Sequence, residues 1–360
     1  MATISLCMIV KNEEKVLARC LDSVKSAVDE IIIVDTGSSD KTKEIALKYT
    51  DKVYDFEWID DFSAARNYAF SKGSMDYLMW LDADDVVSPE NCEKLIELKE
   101  NLSGVDIVMV RYNTAFDENG NPTFSYYRER IVRRGLTHQW KGRVHEVIEC
   151  KGITLYSEIA INHHSVKQNY STRNLEIYEK QAENGEKMEP RDLFYYGREL
   201  YYHKKHEKAI KILSAFLEDK NGWIENKIEA CKVLSLVNSE MGNNDKALEN
   251  LFNSFKYDAP RAEICCAIGD LFMKQNDFNQ AIYWFQLALT IPMNESNGGF
   301  TDLDAYGYLP CIQLCVCFDK LKDYAKAKEY NDMAGTYRPK SEAYLHNIKY
   351  FDSLHTKGIL

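Results

Sequence analysis

YLMWLDADD, residues 77–85, decides the fold. Five uncharged, mostly large apolar residues run without alternation into Asp82, Ala83, Asp84 and Asp85. Such a run fits a short strand buried on both faces, the kind found in parallel sheets covered by helices. The acid cluster then falls beyond the carboxyl end of that strand, where open α/β sheets bind their ligands. Three carboxylates in four residues repel one another. A hard divalent cation removes that repulsion by taking one or two of them and completing its shell from water and substrate phosphates. The plainer reading makes Asp84 and Asp85 turn residues, with Ser88 capping a helix that opens at Pro89 in SPENCEKLIEL. Both readings hold together if Asp84 is a ligand and Asp85 a turn residue.

The flanking segments carry the same rhythm. ISLCMIV (4–10), EIIIVD (30–35) and KVYDFE (52–57) read as strands; residues 11–26, 40–50 and 62–73 read as amphipathic helices between them. Strand–helix alternation predicts a mostly parallel sheet with helices on both faces. From about residue 190 no strand pattern returns. Ala209, Ala247, Ala281 and Ala327 recur at intervals of 38, 34 and 46 residues. Gly269, Phe272, Phe285 and Ala288 in the third unit, with Gly197 and Pro339 in the first and fourth, fit tetratricopeptide helical hairpins. The long last interval contains NESNGGFTDLDAYG (294–307), a turn-rich insertion. The fold class is therefore α/β followed by all-α. The expected divisions are an α/β domain at 1–165, a linker helix at 166–190 and a repeat domain at 191–360.

With 360 residues, 45% of them hydrophobic, the chain is long enough for two cores. A formal charge of -11 opposes general affinity for nucleic acid or an anionic membrane, so an anionic ligand needs a local site. The first residues lack a signal-type pattern, and no apolar run approaches membrane-span length, which predicts a cytoplasmic chain with no membrane span. Ten cysteines without a CxxC pair read as buried, reduced thiols.

In order and spacing, SLCMIVKNEE, EIIIVDTGSSDKT, DFSAARNYA and WLDADD resemble the family 2 glycosyltransferases with a GT-A fold. That resemblance implies a UDP-sugar donor, a manganese or magnesium ion, and inversion at the anomeric carbon. Carried over by position, Ile9, Val10 and Glu13 line the nucleoside pocket and Asp35 reaches the base or ribose. Arg66 approaches the nucleotide, Asp82 contacts the nucleotide or sugar, and Asp84 holds the metal. From the residues alone, Asp35 is equally a strand-end turn former, and Arg66 an exposed helix arginine paired with Asp61.

HQWKGRVHEVIE (138–149) and IAINHHS (159–165) resemble the GRxHE block and downstream histidine of the subgroup that joins this catalytic domain to tetratricopeptide repeats. His163 is then a further metal ligand, and an imidazole suits manganese better than magnesium. The subgroup has glycine and an aromatic after that histidine; this chain has Ser165 and Val166. Inverting transfer needs a base opposite the leaving diphosphate. Glu146 is the first candidate and His145 the second, the alternative being that both brace the site. Of Arg130, Arg133, Lys141 and Arg143, one or two stabilise the diphosphate, Arg143 foremost. Trp140 stacks on sugar or acceptor, or simply packs.

YYGRELYYHKKHEKAI (195–210) is similar to the first repeat of the sublancin-type enzymes that glycosylate a cysteine of a bacteriocin precursor. The resemblance implies hexose transfer, glucose or N-acetylglucosamine, to a peptide Cys, Ser or Thr, with the repeats binding the acceptor peptide or forming a homodimer. A cell-envelope glycan as acceptor and a repeat adaptor with an inactive transferase domain remain as alternatives.

Overall fold

The computed structural model describes residues 1–135, 138–149, 151–165, 171–294 and 298–358. The start of the expected linker, Val166 with the four residues after it, and positions 295–297 of the insertion lie outside them. The chain divides into two compact units, Met1–Thr114 with Tyr126–Lys187, and Ala115–Ser125 with Met188–Leu360.

The first unit is built on strands β1 (Ile4–Val10), β2 (Glu30–Asp35), β3 (Val53–Asp55), β4 (Tyr77–Met79), β5 (Asp85–Val87), β6 (Ile107–Phe116), β7 (Pro122–Arg133) and β10 (Thr154–His163). Their order is β3-β2-β1-β4-β7-β6-β10-β5. β3, β2, β1 and β4 are mutually parallel, as are β6 and β10, while β7 runs antiparallel to β4 and β5 to β10. A separate ribbon pairs β8 (Trp140–Lys141) with β9 (Val147–Ile148). Period-two alternation sends the central strands' side chains to two cores. Ile4, Leu6, Met8, Tyr77, Met79 and Leu81 pack with α1 (Leu17–Val24) and α4 (Pro89–Leu98), the latter capped by Ser88. Cys7, Ile32, Val34, Leu78 and Trp80 pack on the other face with Ala69 and Phe70 of α3 (Phe62–Lys72), and with Trp140 and Ile148.

Two expected elements are shorter than their sequence pattern. The first helix begins only at Leu17, because Asn12 takes a left-handed φ of 55°. Residues 12–14 are instead tied to the loop after β2: Ser39 N–H donates to Asn12 Oδ1 (2.8 Å) and Glu14 N–H to Asp40 Oδ2 (3.2 Å). Strand pairing of β4 stops at Met79, since Asp82 and Asp85 close a turn on each other.

The second unit is helical: α6 (Pro190–Tyr202) with α7 (His206–Glu218), α8 (Ile224–Glu240) with α9 (Asn244–Asn253), α10 (Ala262–Lys274) with α11 (Phe278–Thr290), α12 (Tyr308–Lys320) with α13 (Tyr324–Tyr337), then α14 (Glu342–Thr356). The four recurring alanines are fully buried in the second helix of each pair. Gly197 and Gly269 let the paired helices close up; a Cβ there would meet Leu213 at 2.4 Å and the Phe285 ring at 2.7 Å. The insertion holds a short strand, β11 (Thr301–Asp302), paired antiparallel with Phe124 and Ser125. Nine cysteines are described; all are free and buried. Among the described residues no helix is long and apolar enough to cross a membrane.

Candidate active site

At the carboxyl edge of β1, β2 and β4 lies a cleft of about 260 Å³. Ile9, Val10 and Glu13 wall it at the end of β1, Arg66 comes from α3, and Asp82 and Asp84 come from the turn after β4. His163 reaches it from β10, whose antiparallel register with β5 sets His163 opposite Asp85.

Each acid of the turn has its own basic partner. Arg66 is 7% exposed; its Nη2 donates to Asp82 Oδ1 (2.7 Å) and its Nε to Glu146 Oε1 (2.5 Å). Burial would raise the Asp82 pKa, but the charges of Arg66 and Arg130 hold it well below the usual carboxylate range. Arg130 and Asp85 are both wholly buried and pair at 3.1 Å. The Arg130 guanidinium lies 3.6 Å from the Trp80 ring centre and 4.3 Å from that of Tyr112. Asp85 also accepts from the Tyr112 hydroxyl (2.9 Å) and the Asp82 N–H (3.0 Å), so it fixes the turn from beneath. Removing one member of such a buried pair costs about 3–5 kcal/mol.

The third acid relies on histidine. His163 Nδ1 lies 3.3 Å from Asp84, 3.2 Å from Asp85 and 2.9 Å from the Tyr112 hydroxyl. Burial pulls the His163 pKa down, but the Asp85 hydrogen bond and the charges of Asp84 and Asp85 outweigh it and leave it raised. Asp84 is raised too, by burial and by its acidic neighbours. Arg19 of α1 clamps the assembly, donating to the carbonyls of His164 (2.8 Å) and Asp84 (3.4 Å). Ligand atoms of Asp84, Asp85 and His163 lie within 4.8 Å of one another, a hard-oxygen and imidazole set that fits manganese. Arg130 already pairs with Asp85; Asp84 and His163 are the two members of the set that line the cleft.

Residues 5–159 match the family model for glycosyl transferase family 2. The first unit is a family 2 glycosyltransferase domain. The chain is similar to a TPR repeat-containing protein of Synechococcus elongatus, 52% identical over 149 residues, which is 41% of this chain and 36% of that protein. It is also 29% identical over 251 residues to the SPbeta prophage-derived glycosyltransferase SunS of Bacillus subtilis, covering 64% of this chain and 58% of that one. The chain thus spans well under two thirds of both relatives. Among solved structures, S. aureus TarS superposes on 69% of the chain with a TM-score of 0.37 and 14% identity.

Within the glycosyltransferase domain, seven of the expected site residues wall the cleft: Ile9, Val10, Glu13, Arg66, Asp82, Asp84 and His163. Arg66 is not the exposed partner of Asp61; Asp61 instead caps α3, accepting from the Ala64 N–H (2.9 Å). Asp35 sits behind the wall, 2% exposed, with Oδ1 accepting from the Gly37 and Ser38 N–H groups and Oδ2 buried without a partner. Glu146 is buried against Arg66, and His145 beside it holds a left-handed φ of 51°.

Two residues stand apart from the cleft. Arg143 pairs with Glu186 at 2.8 Å, and Trp140 is 2% exposed, edge-on to Phe70 and Trp80 under the Arg66 guanidinium. The remaining basic residues are engaged structurally: Arg133 with Asp106 and Lys141 with Glu149. Asp85 does close the turn, and it does so as a wholly buried residue. Sequence reading missed Arg130 and Tyr112 as its partners, and also Lys11, Thr36, Trp58, Phe62 and Arg173 in the cleft wall. Lys11 was open to detection, lying between Val10 and Glu13. Arg173 was not, because it opens α5 (Arg173–Glu183), within the segment read as a linker.

Proposed function

We propose that the chain is a metal-dependent inverting glycosyltransferase that moves glucose or N-acetylglucosamine from a UDP-sugar to a peptide side chain, with cysteine ahead of serine and threonine. The observation that carries this reading is the convergence of Asp84, His163, Asp82 and Arg66 on one cleft at the carboxyl edge of the sheet. Asp84 and His163 are the ligands for manganese or magnesium. When bound, that ion supplies positive charge that offsets the charge growing on the leaving diphosphate.

The chain's own groups supply the rest. Ile9 and Val10 give the nucleoside an apolar wall, and Asp35 Oδ2, buried and unpartnered, is an acceptor for the base or ribose. Arg66 has an Nη1 that is likewise buried without a partner, a donor left over for a phosphate or sugar oxygen. In the transfer step the acceptor's sulfur or oxygen forms a bond to the anomeric carbon. The bond from that carbon to the diphosphate breaks, its electron pair leaves with UDP, and the acceptor proton goes to a base. Glu146 is the first choice for that base and His145 the second; the hydrogen bond from Arg66 Nε orients Glu146. A thiol acceptor, with an ordinary pKa near ~8.5, asks little of either.

The peptide acceptor is supported by the helical repeats, since such arrays hold peptides along their concave face. The test is mass spectrometry of cysteine peptides and their cysteine-to-serine counterparts incubated with a panel of donors and manganese. The expected result is a hexose-sized mass gain that disappears in Asp84→Ala. Transfer to free glycan alone would remove the peptide reading, and no donor turnover at all would favour the repeat adaptor.

A further inference from the structure

In the helical unit a groove between the first helices of successive hairpins is almost filled. Glu225, Glu229 and Lys232 of α8, with Arg261 and Glu263 beside α10, leave only about 20 Å³ next to Phe300. The occupant is the chain itself. Thr301 and Asp302 pair with Ser125 and Phe124 at the tip of the β6–β7 hairpin. The Phe300 ring stacks on Phe124 at 5.9 Å, with the Arg198 guanidinium 4.9 Å from it. Asp302 N–H donates to Glu263 Oε1 (3.3 Å), and the Tyr306 hydroxyl to Glu263 Oε2 (2.9 Å).

The strand pairing that docks this segment is short. Among the described residues β11 pairs with β7 through two residues, Thr301 and Asp302. The Ser125 hydroxyl stays buried without a hydrogen bond. Gly299 lies so close to Glu225 that a Cβ would meet Oε2 at 2.1 Å, and Arg261 holds that carboxylate at 2.5 and 2.8 Å, so it has no room to yield. The groove therefore selects a glycine followed by an aromatic, in extended form. The fixed anchor comes later, at Ala305, which is fully buried among the helices.

We propose that this groove is the docking site for the acceptor peptide, which adds as a strand to the Phe124–Ser125 edge with a glycine–aromatic pair at the places of Gly299 and Phe300. Residues 298–302 are a strap that keeps those places until the peptide displaces it. Strand addition of this kind draws affinity from the main chain and specificity from alternate side chains. The inference rests on the peptide-acceptor reading above.

A labelled peptide of the strap's own sequence, GGFTDLDAY (298–306), tests it on the full chain by fluorescence anisotropy. Phe300→Ala frees the groove and binds the peptide about tenfold tighter than the wild type, because a larger fraction is competent. Phe124→Ala loosens the strap equally but gains nothing, having lost the platform on which the ring stacks. If Phe300→Ala is misfolded by circular dichroism, deuterium uptake in the wild type decides: added peptide must raise uptake at Thr301 and Asp302. No gain in Phe300→Ala, or unchanged uptake in the wild type, overturns the proposal. Sugar transfer to peptides without the binding gain would sink the strap alone. The binding gain without any transfer would support the strap and count against the transferase reading.

Discussion

At the scale of single residues, the acid turn is held by three separate charge balances, and Asp85 with Arg130 is the most consequential. The pair is wholly buried, so Asp85→Asn strands a guanidinium beside two aromatic rings. Chemical denaturation should show a loss of about 3–5 kcal/mol. Adding Arg130→Met should restore most of that, because two matched apolar replacements avoid the unpaired charge. Donor turnover should stay low in the double variant, since Asp85 also orients His163 and closes the turn on the Asp82 N–H. Full activity there would show Asp85 to be an element of stability only.

Among elements, the end of the sheet remote from the cleft is tied by Glu30 at the start of β2. It accepts from Lys52 Nζ (2.5 Å), from the Ser74 N–H and hydroxyl (both 2.8 Å), and from the Ser5 hydroxyl. Burial raises its pKa, but these donors bring it from the ordinary 4.5 down to about 2. A depressed folded-state pKa contributes stability above pH 4.5 that is lost as pH falls towards 2. The contribution is at most about 3–4 kcal/mol. Glu30→Gln should therefore lie below the wild type at neutral pH and converge with it near pH 2 in urea titrations; a gap independent of pH would show that packing is responsible. The strands and the acid cluster were legible in the sequence because unbroken apolar runs ended at aspartates, a local signal. The Asp85–Arg130 pair and the Glu146–Arg66 contact were not, because they join residues 45 and 80 positions apart that only the tertiary fold brings together. Trp140 stayed open between stacking and packing for the same reason: nothing local tells a stacking platform from a side chain packed edge-on to Trp80.

For the molecule as a whole, an acidic chain of net charge -11 gathers Lys11, Arg66 and Arg173 around one cleft. Ligands that bind only the folded state raise its stability with the logarithm of their concentration over Kd, by about 2.7 kcal/mol at a hundredfold excess. Manganese and UDP together should raise the melting temperature more than either alone, and Asp84→Ala should abolish the joint increment; equal shifts in that variant would remove Asp84 from the metal site. The same neighbourhood carries its own optical reporter. Trp80 lies with its ring 3.6 Å from Arg130, 4.7 Å from Arg66 and 4.8 Å from Arg128, and its indole N–H donates to the Glu129 carbonyl. An indole surrounded by fixed cations emits according to their field, so in a chain stripped of its other four tryptophans, ligand arrival at Asp82 and Arg66 becomes a colour change readable without a label.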